Sequence, residues 1–198
     1  MLQGIAMTDK MNFTIENPLV FDRWRRAVDE AFKHQSDSII SNGTNESVAY
    51  LMSKIIENAQ NKIGILTGSL GVLSQKQDIY CDQFFIDKLK GFFKKPQASL
   101  QIFIADINFQ NTESEFLSTL KKCSFGKQIK IFKNENATEP FNYLSHFMVN
   151  DNSAYRIEKD IETTEASGQA YNPEISQRLW TIMDLLSSLP NFKPINLD

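Results

Sequence analysis

Two histidines occur in this chain, and one of them, His146, opens the apolar run SHFMVND. Imidazole is the side chain whose charge changes in the neutral range, so it can serve as base, nucleophile or ligand holder. Alternation along an extended run places His146, Met148 and Asn150 on one face. That face offers an imidazole, a thioether and an amide, and no fixed cation. The following run, AYRIE, puts Arg156 and Glu158 on one face and Tyr155 and Ile157 on the other. The guanidinium fork of Arg156 suits a phosphate and could supply the missing cation. The bland alternative is a cross-strand or solvent-facing ion pair, and residue chemistry favours it. The same holds for His146, where a half-buried ring satisfied by its neighbours is the simpler expectation. The acidic stretch KDIETTE (159–165) would repel a phosphodiester brought to this end.

A second candidate is GILTGSLG (64–71), glycines following a strand-like run. It lacks the Gly-Lys-Ser/Thr ending of a phosphate loop and the GxGxxG of a dinucleotide site. A tight exit from the strand is the expectation. Thr67 and Ser69 still fall where α/β sheets place ligands, at the C-terminal end of a parallel strand. Cys81 and Cys123 form no CxxC, and two histidines cannot complete a common zinc set, so neither a metal nor a cofactor is expected. Trp24, Trp180 and the 15 phenylalanines read as core or interface anchors rather than as stacking platforms for single strands.

The 198 residues are 41% hydrophobic, enough for one buried core. A net charge of −3 gives no footprint for a phosphate backbone. Lysines at 88, 90, 94, 95, 121 and 122 read as helix surface, so nucleic acid is not the favoured partner. No apolar run approaches the roughly 18 residues of a membrane span, and the start shows no secretory signal. A cytoplasmic setting is the expectation.

The elements that must hold these residues follow from punctuation and period. Residues 1–16 read as an arm. Asn17-Pro18 caps a helix with Val20, Trp24, Ala27, Val28 and Ala31 on its apolar stripe. The polar segment QSDSIISNGTNES separates it from a second helix, striped by Val48, Leu51, Met52, Ile55, Ile56 and Ala59. These helices, 17–60, form an N-terminal extension to an α/β domain over 62–198. KIGILTG is a buried strand, 79–94 is helical with a stop at Pro96, and LQIFIAD (100–106) is a second strand. Thr112 and Glu115 have capping-box spacing for a short helix, and QIKIF (128–132) is a third strand. SHFMVND and SAYRIEKD form a hairpin about Asp151-Asn152. TEASGQAY is a further extended run, and Asn172-Pro173 caps a last helix with Ile175, Leu179, Ile182, Met183 and Leu186 inward. Alternating elements followed by a hairpin predict an α/β/α sandwich around a mixed sheet.

From Lys62 to about Leu189 this order, with HFMVNDNSAYRIE and GQAYNPEIS, resembles one half of the phospholipase D superfamily. The resemblance aligns His146 with the family's histidine and Asn172 with the asparagine before its final helix. In that family the motif is His-x-Lys-x4-Asp: histidine attacks phosphorus, lysine holds a phosphate oxygen, and two motifs meet at one site. Here the lysine position is Met148, the aspartate position is Ser153, and Asp151 comes two residues early. The resemblance therefore implies a catalytically degenerate domain that works as a binding or assembly module. It also points to a bacterial or phage conflict or antiviral-defence setting. Single-motif members pair about a two-fold axis, so a homodimer or another protein partner is implied, with Phe141, Tyr143, Phe147 and the 84–93 helix as candidate surface. A phosphodiesterase or nuclease using His146 from two chains is the enzymatic alternative. A small-molecule sensor built on Thr67, Ser69 and His146 is the third.

Overall fold

In chain order the computed structural model contains α1 (Pro18–Lys33), β1 (Ile40–Asn42), α2 (Asn45–Asn58), β2 (Lys62–Thr67), α3 (Gln83–Phe92) and β3 (Ser99–Ile104). There follow α4 (Glu115–Lys122), β4 (Ile129–Asn134), β5 (Phe147–Asn150), β6 (Tyr155–Glu158), β7 (Ala166–Gln169), α5 (Pro173–Ser188) and β8 (Phe192–Ile195). The structure describes residues 15–68, 70, 79–106, 115–122, 128–135, 145–159 and 165–195. Thr112 of the capping-box spacing, Cys123, Phe141 and Tyr143 lie outside the described residues.

The three aliphatic runs pair in parallel as β2–β3–β4, and α3 and α4 cross between them on one face. The hairpin β5–β6 then adds antiparallel to β2. With β7 and β1 beyond it and β8 on the far side, the eight-stranded order is β1-β7-β6-β5-β2-β3-β4-β8. The fold is a mixed-sheet α/β sandwich.

Alternation sorts the sheet's side chains into two cores. Ile63, Ile65, Leu100, Ile102 and Met148 pack with α1 to α4, whereas Leu66, Phe103, Phe147, Val149 and Tyr155 pack with α5. Gly64 lets α5 approach closely, since a Cβ there would meet Met183 Cε at 2.9 Å. Phe147 and Phe84, Phe85, Phe92 and Phe93 are all buried, so they fill the core and do not form a dimer surface.

Three local readings change. The polar segment after α1 carries a strand, β1, which pairs with β7 (Ile40↔Gly168, Asn42↔Ala166). The buried stripe of α1 is Phe21, Val28 and Phe32, with Val20 62% exposed. The helix expected over 79–94 is a 3-10 turn at 79–81 followed by α3, capped where the Asp82 carboxylate accepts from the Phe84 and Phe85 amides. Both sheet edges are protected. The Trp24 indole N–H donates to Ser41 O at 3.0 Å on the free side of β1, and Pro194 sits in β8.

Candidate functional site

The register places a row of residues at the C-terminal ends of the parallel strands. Leu66 pairs with Phe147 and Phe147 with Ile157, so Thr67, His146 and Glu158 stand side by side one step further on. The Glu158 amide donates to His146 O at 2.8 Å and continues the ladder there. Glu158 pairs with Ala166, and Ala166 with Asn42, which extends the row to the sheet edge.

Within that row His146 Nδ1 lies 2.8 Å from Glu158 Oε2. Burial pushes the Glu158 carboxyl up, but hydrogen bonds and charges from His146 and Arg156 outweigh it and hold the group below its ordinary value of 4.5. An ionised carboxylate only accepts, so Nδ1 carries the proton. In the neutral ring the lone pair is then on Nε2, which has no partner among the described residues. The ring lies against the end of β2, where a Cβ on Gly68 would meet Nε2 at 3.1 Å.

Arg156 occupies the same face one step deeper, paired across the strands with Met148. Its side chain is 4% exposed, against 16% for Glu158 and 17% for His146. Its Nη1 donates to Glu158 Oε1 at 3.0 Å and its Nε to Asn42 Oδ1 at 3.2 Å. Reaching β1 takes the guanidinium across β7, whose residues on this face are Gly168 and Ala166. Gly168 cannot be larger, because a Cβ would fall 2.3 Å from Tyr155 O. Met148 itself is 1% exposed and belongs to the core under α2.

The other candidates separate clearly. Thr67 joins the row; Ser69 lies outside the described residues. Asn172 does not join it. Its amide N–H donates to Ser153 O at 2.8 Å, and Gln169 pairs with Tyr155, which sets Asn172 at the hairpin-turn end of β6, opposite His146. There its side chain caps α5 by accepting from the Ile175 amide at 3.0 Å and donates to Gln169 Oε1 at 2.8 Å. The strand β7, placed between hairpin and helix, reverses the chain once more and causes this. Asp151 also serves the turn end, accepting from the Gln60 and Asn61 amides at 2.8 and 2.7 Å. Asn42 was not readable from sequence as part of the cluster; the alternation ISN within a polar segment was its only signal.

No protein-family model and no curated protein matches this chain. Among solved structures it is similar to Nuc from Salmonella typhimurium, a phospholipase D family member, at 12% identity and a TM-score of 0.55. That similarity covers 80% of this chain and 98% of Nuc. It is also similar to TrmBL2, an archaeal chromatin protein with a novel mode of DNA binding, at 9% identity and a TM-score of 0.52. The second similarity covers 90% of this chain and 71% of TrmBL2. The fold is therefore phospholipase D-like. Among the described residues no helix is long and apolar enough to cross a membrane.

Proposed function

We propose that the chain is a catalytically degenerate phospholipase D-like domain that works as a binding or assembly module. The charge state of the histidine cluster carries this reading. Phosphodiester attack needs cations or donors aimed at the nonbridging oxygens. The cation bonded to this cluster, Arg156, is buried and already joined to the carboxylate that holds His146. The neighbouring position on His146's own strand is the buried thioether of Met148. Arg156 and Glu158 cancel, so the pair leaves no excess positive charge for a phosphoryl group. TrmBL2, a chromatin protein of similar fold that binds DNA, supports a binding role for this one. The net charge of −3 makes a protein a better partner for this chain than DNA. A conflict or defence setting, with self-association or a second protein as the partner, fits such a module.

One observation favours a second reading. A ring with Nδ1 fixed by a carboxylate, and Nε2 at the strand ends without a partner among the described residues, is oriented as a nucleophile or base would be. A phosphodiesterase using His146 from two chains would exploit that geometry. Turnover of DNA, phospholipid and bis(p-nitrophenyl) phosphate by wild type and His146→Ala separates the two. The module reading expects equal background rates. Hydrolysis that disappears in the variant replaces it with the enzyme.

A further inference from the structure

Phe147 and the phenylalanines of α3 are buried, so apolar surface for association lies elsewhere. Among the described residues five large apolar side chains are exposed: Leu19, Val20, Ile39, Tyr171 and Leu185. Three of them, Leu19, Val20 and Ile39, fall on α1 and at the entry to β1, the edge strand to which α1 is bonded through Trp24. Single exposed apolar residues are ordinary, whereas a group at one corner marks a contact surface. Leu19 is the extreme, 84% exposed in the first turn of α1. One turn further along the same face stands Arg23, exposed and without an ion pair among the described residues, whereas Arg25 and Arg26 share Asp22. Beside this face a cleft of about 260 Å³ opens between β1 and the starts of α1 and α2. Val20, Phe21 and Trp24 supply its apolar wall, and the carboxylates of Glu16 and Glu46 also line it. The corner thus carries both halves of a complementary contact: an exposed leucine beside a cation, and an apolar hollow beside two carboxylates.

We propose that this corner is a self-association surface, on which two copies of the chain meet about a two-fold axis. Leu19 of each copy enters the cleft of the other, and Arg23 faces the partner subunit's Glu16 and Glu46. A second copy is the occupant these residues select, because an isologous interface needs one patch that complements itself, and this patch does so in both apolar and charged groups. β1 lies three strands from β5, about 14 Å at the ordinary spacing, so the contact leaves His146 uncovered. One helix of 16 residues, about 24 Å long, and one cleft offer less than the roughly 800 Å² per copy of a standard interface. The dimer is therefore of the weak, reversible kind. The inference rests on the reading of the chain as an assembly module and gives that module its surface. Hydrolysis dependent on His146 would end that reading and leave this surface standing. A strict monomer would remove the surface and leave the module with a foreign partner.

Sedimentation velocity of the full chain between about 10 μM and about 1 mM tests it. The wild type passes reversibly from monomer to dimer with a Kd on the order of 100 μM, and associates more weakly at high salt. Leu19→Asp lies in the first turn of α1, where an acidic residue suits the helix dipole, so it keeps the Tm and weakens association at least about tenfold. Arg23→Glu, and separately Glu16→Lys/Glu46→Lys, weaken it to the same extent, since each sets like charges against one another on both sides of the axis. An equimolar mixture of those two variants restores association, because every charge then faces its opposite. A monomer throughout that range, undiminished association of Leu19→Asp, or a mixture no stronger than its components overturns the proposal. Nuclear Overhauser contacts within a monomer from residues 1–14 to Val20 would give the cleft to that segment and overturn it equally.

Discussion

Replacing Glu158 with alanine lowers the unfolding free energy by about 3 kcal/mol, because it removes the half-buried carboxylate that Arg156 and His146 share. The Arg156 side chain is 4% exposed, so the loss of a carboxylate bonded to it is felt in a buried site. For a chain of 198 residues that loss corresponds to a fall of about 10 °C in Tm. The double variant Arg156→Met/Glu158→Leu removes both charges and returns to within about 1 kcal/mol of wild type, since exchanging a buried ion pair for apolar side chains is commonly neutral. A double-mutant cycle therefore shows strong coupling. The dependence on pH has a definite sign. Glu158 titrates lower when folded, so its contribution is complete above the ordinary carboxylate value of 4.5 and fades as pH falls through the depressed folded value. Thermal melts between pH 3 and 7 check this: the wild type loses more stability on acidification than the double variant. Equal acid sensitivity would show that the pair carries no net stabilisation.

Met148→Lys puts a lysine where the phospholipase D motif carries one, and yields no hydrolysis. Met148 is 1% exposed, packed in the core with Ile55 and Ile65, and paired across the strands with Arg156. A lysine there buries an ammonium beside an existing cation, and the carboxylate nearest that cation, Glu158, is already shared by Arg156 and His146. The expected cost is on the order of 4 kcal/mol, with the lysine forced toward its neutral form. Chemical denaturation gives the stability and the aryl phosphodiester gives the activity. A stable variant with His146-dependent turnover would mean that this position opens onto a usable phosphate site, and the degenerate reading would fail.

The hairpin was legible because alternation and an Asp-Asn turn coincide in a short stretch, and both faces of β5 and β6 follow from that. The same alternation put Arg156 and Glu158 on one face but did not relate them to His146, and it could not say what Arg156 does. That depends on a bare Gly168 beneath the guanidinium and on Asn42, 114 residues away in the chain. β1 escaped because three residues within a serine- and asparagine-rich segment carry little apolar signal; its pairing with β7 makes it a strand. In α1, Trp24 and Ala31 are compatible with two neighbouring stripes, and only the packing of Phe21 and Phe32 selects the buried one. Asn172 was aligned by its place before the last helix. The strand β7, read from the sequence as a further extended run, carries that place to the other end of the sheet.

The central claim is that His146 is oriented but has no means of holding a phosphoryl group beside it. Having only two histidines makes this directly observable. With ¹⁵N-histidine labelling, and His34→Gln to assign the exposed ring, the His146 signals can be followed while inorganic phosphate is added at constant ionic strength. The account predicts a protonated Nδ1, held by Glu158, and no saturable change with phosphate. A saturable shift at Nε2 would contradict it.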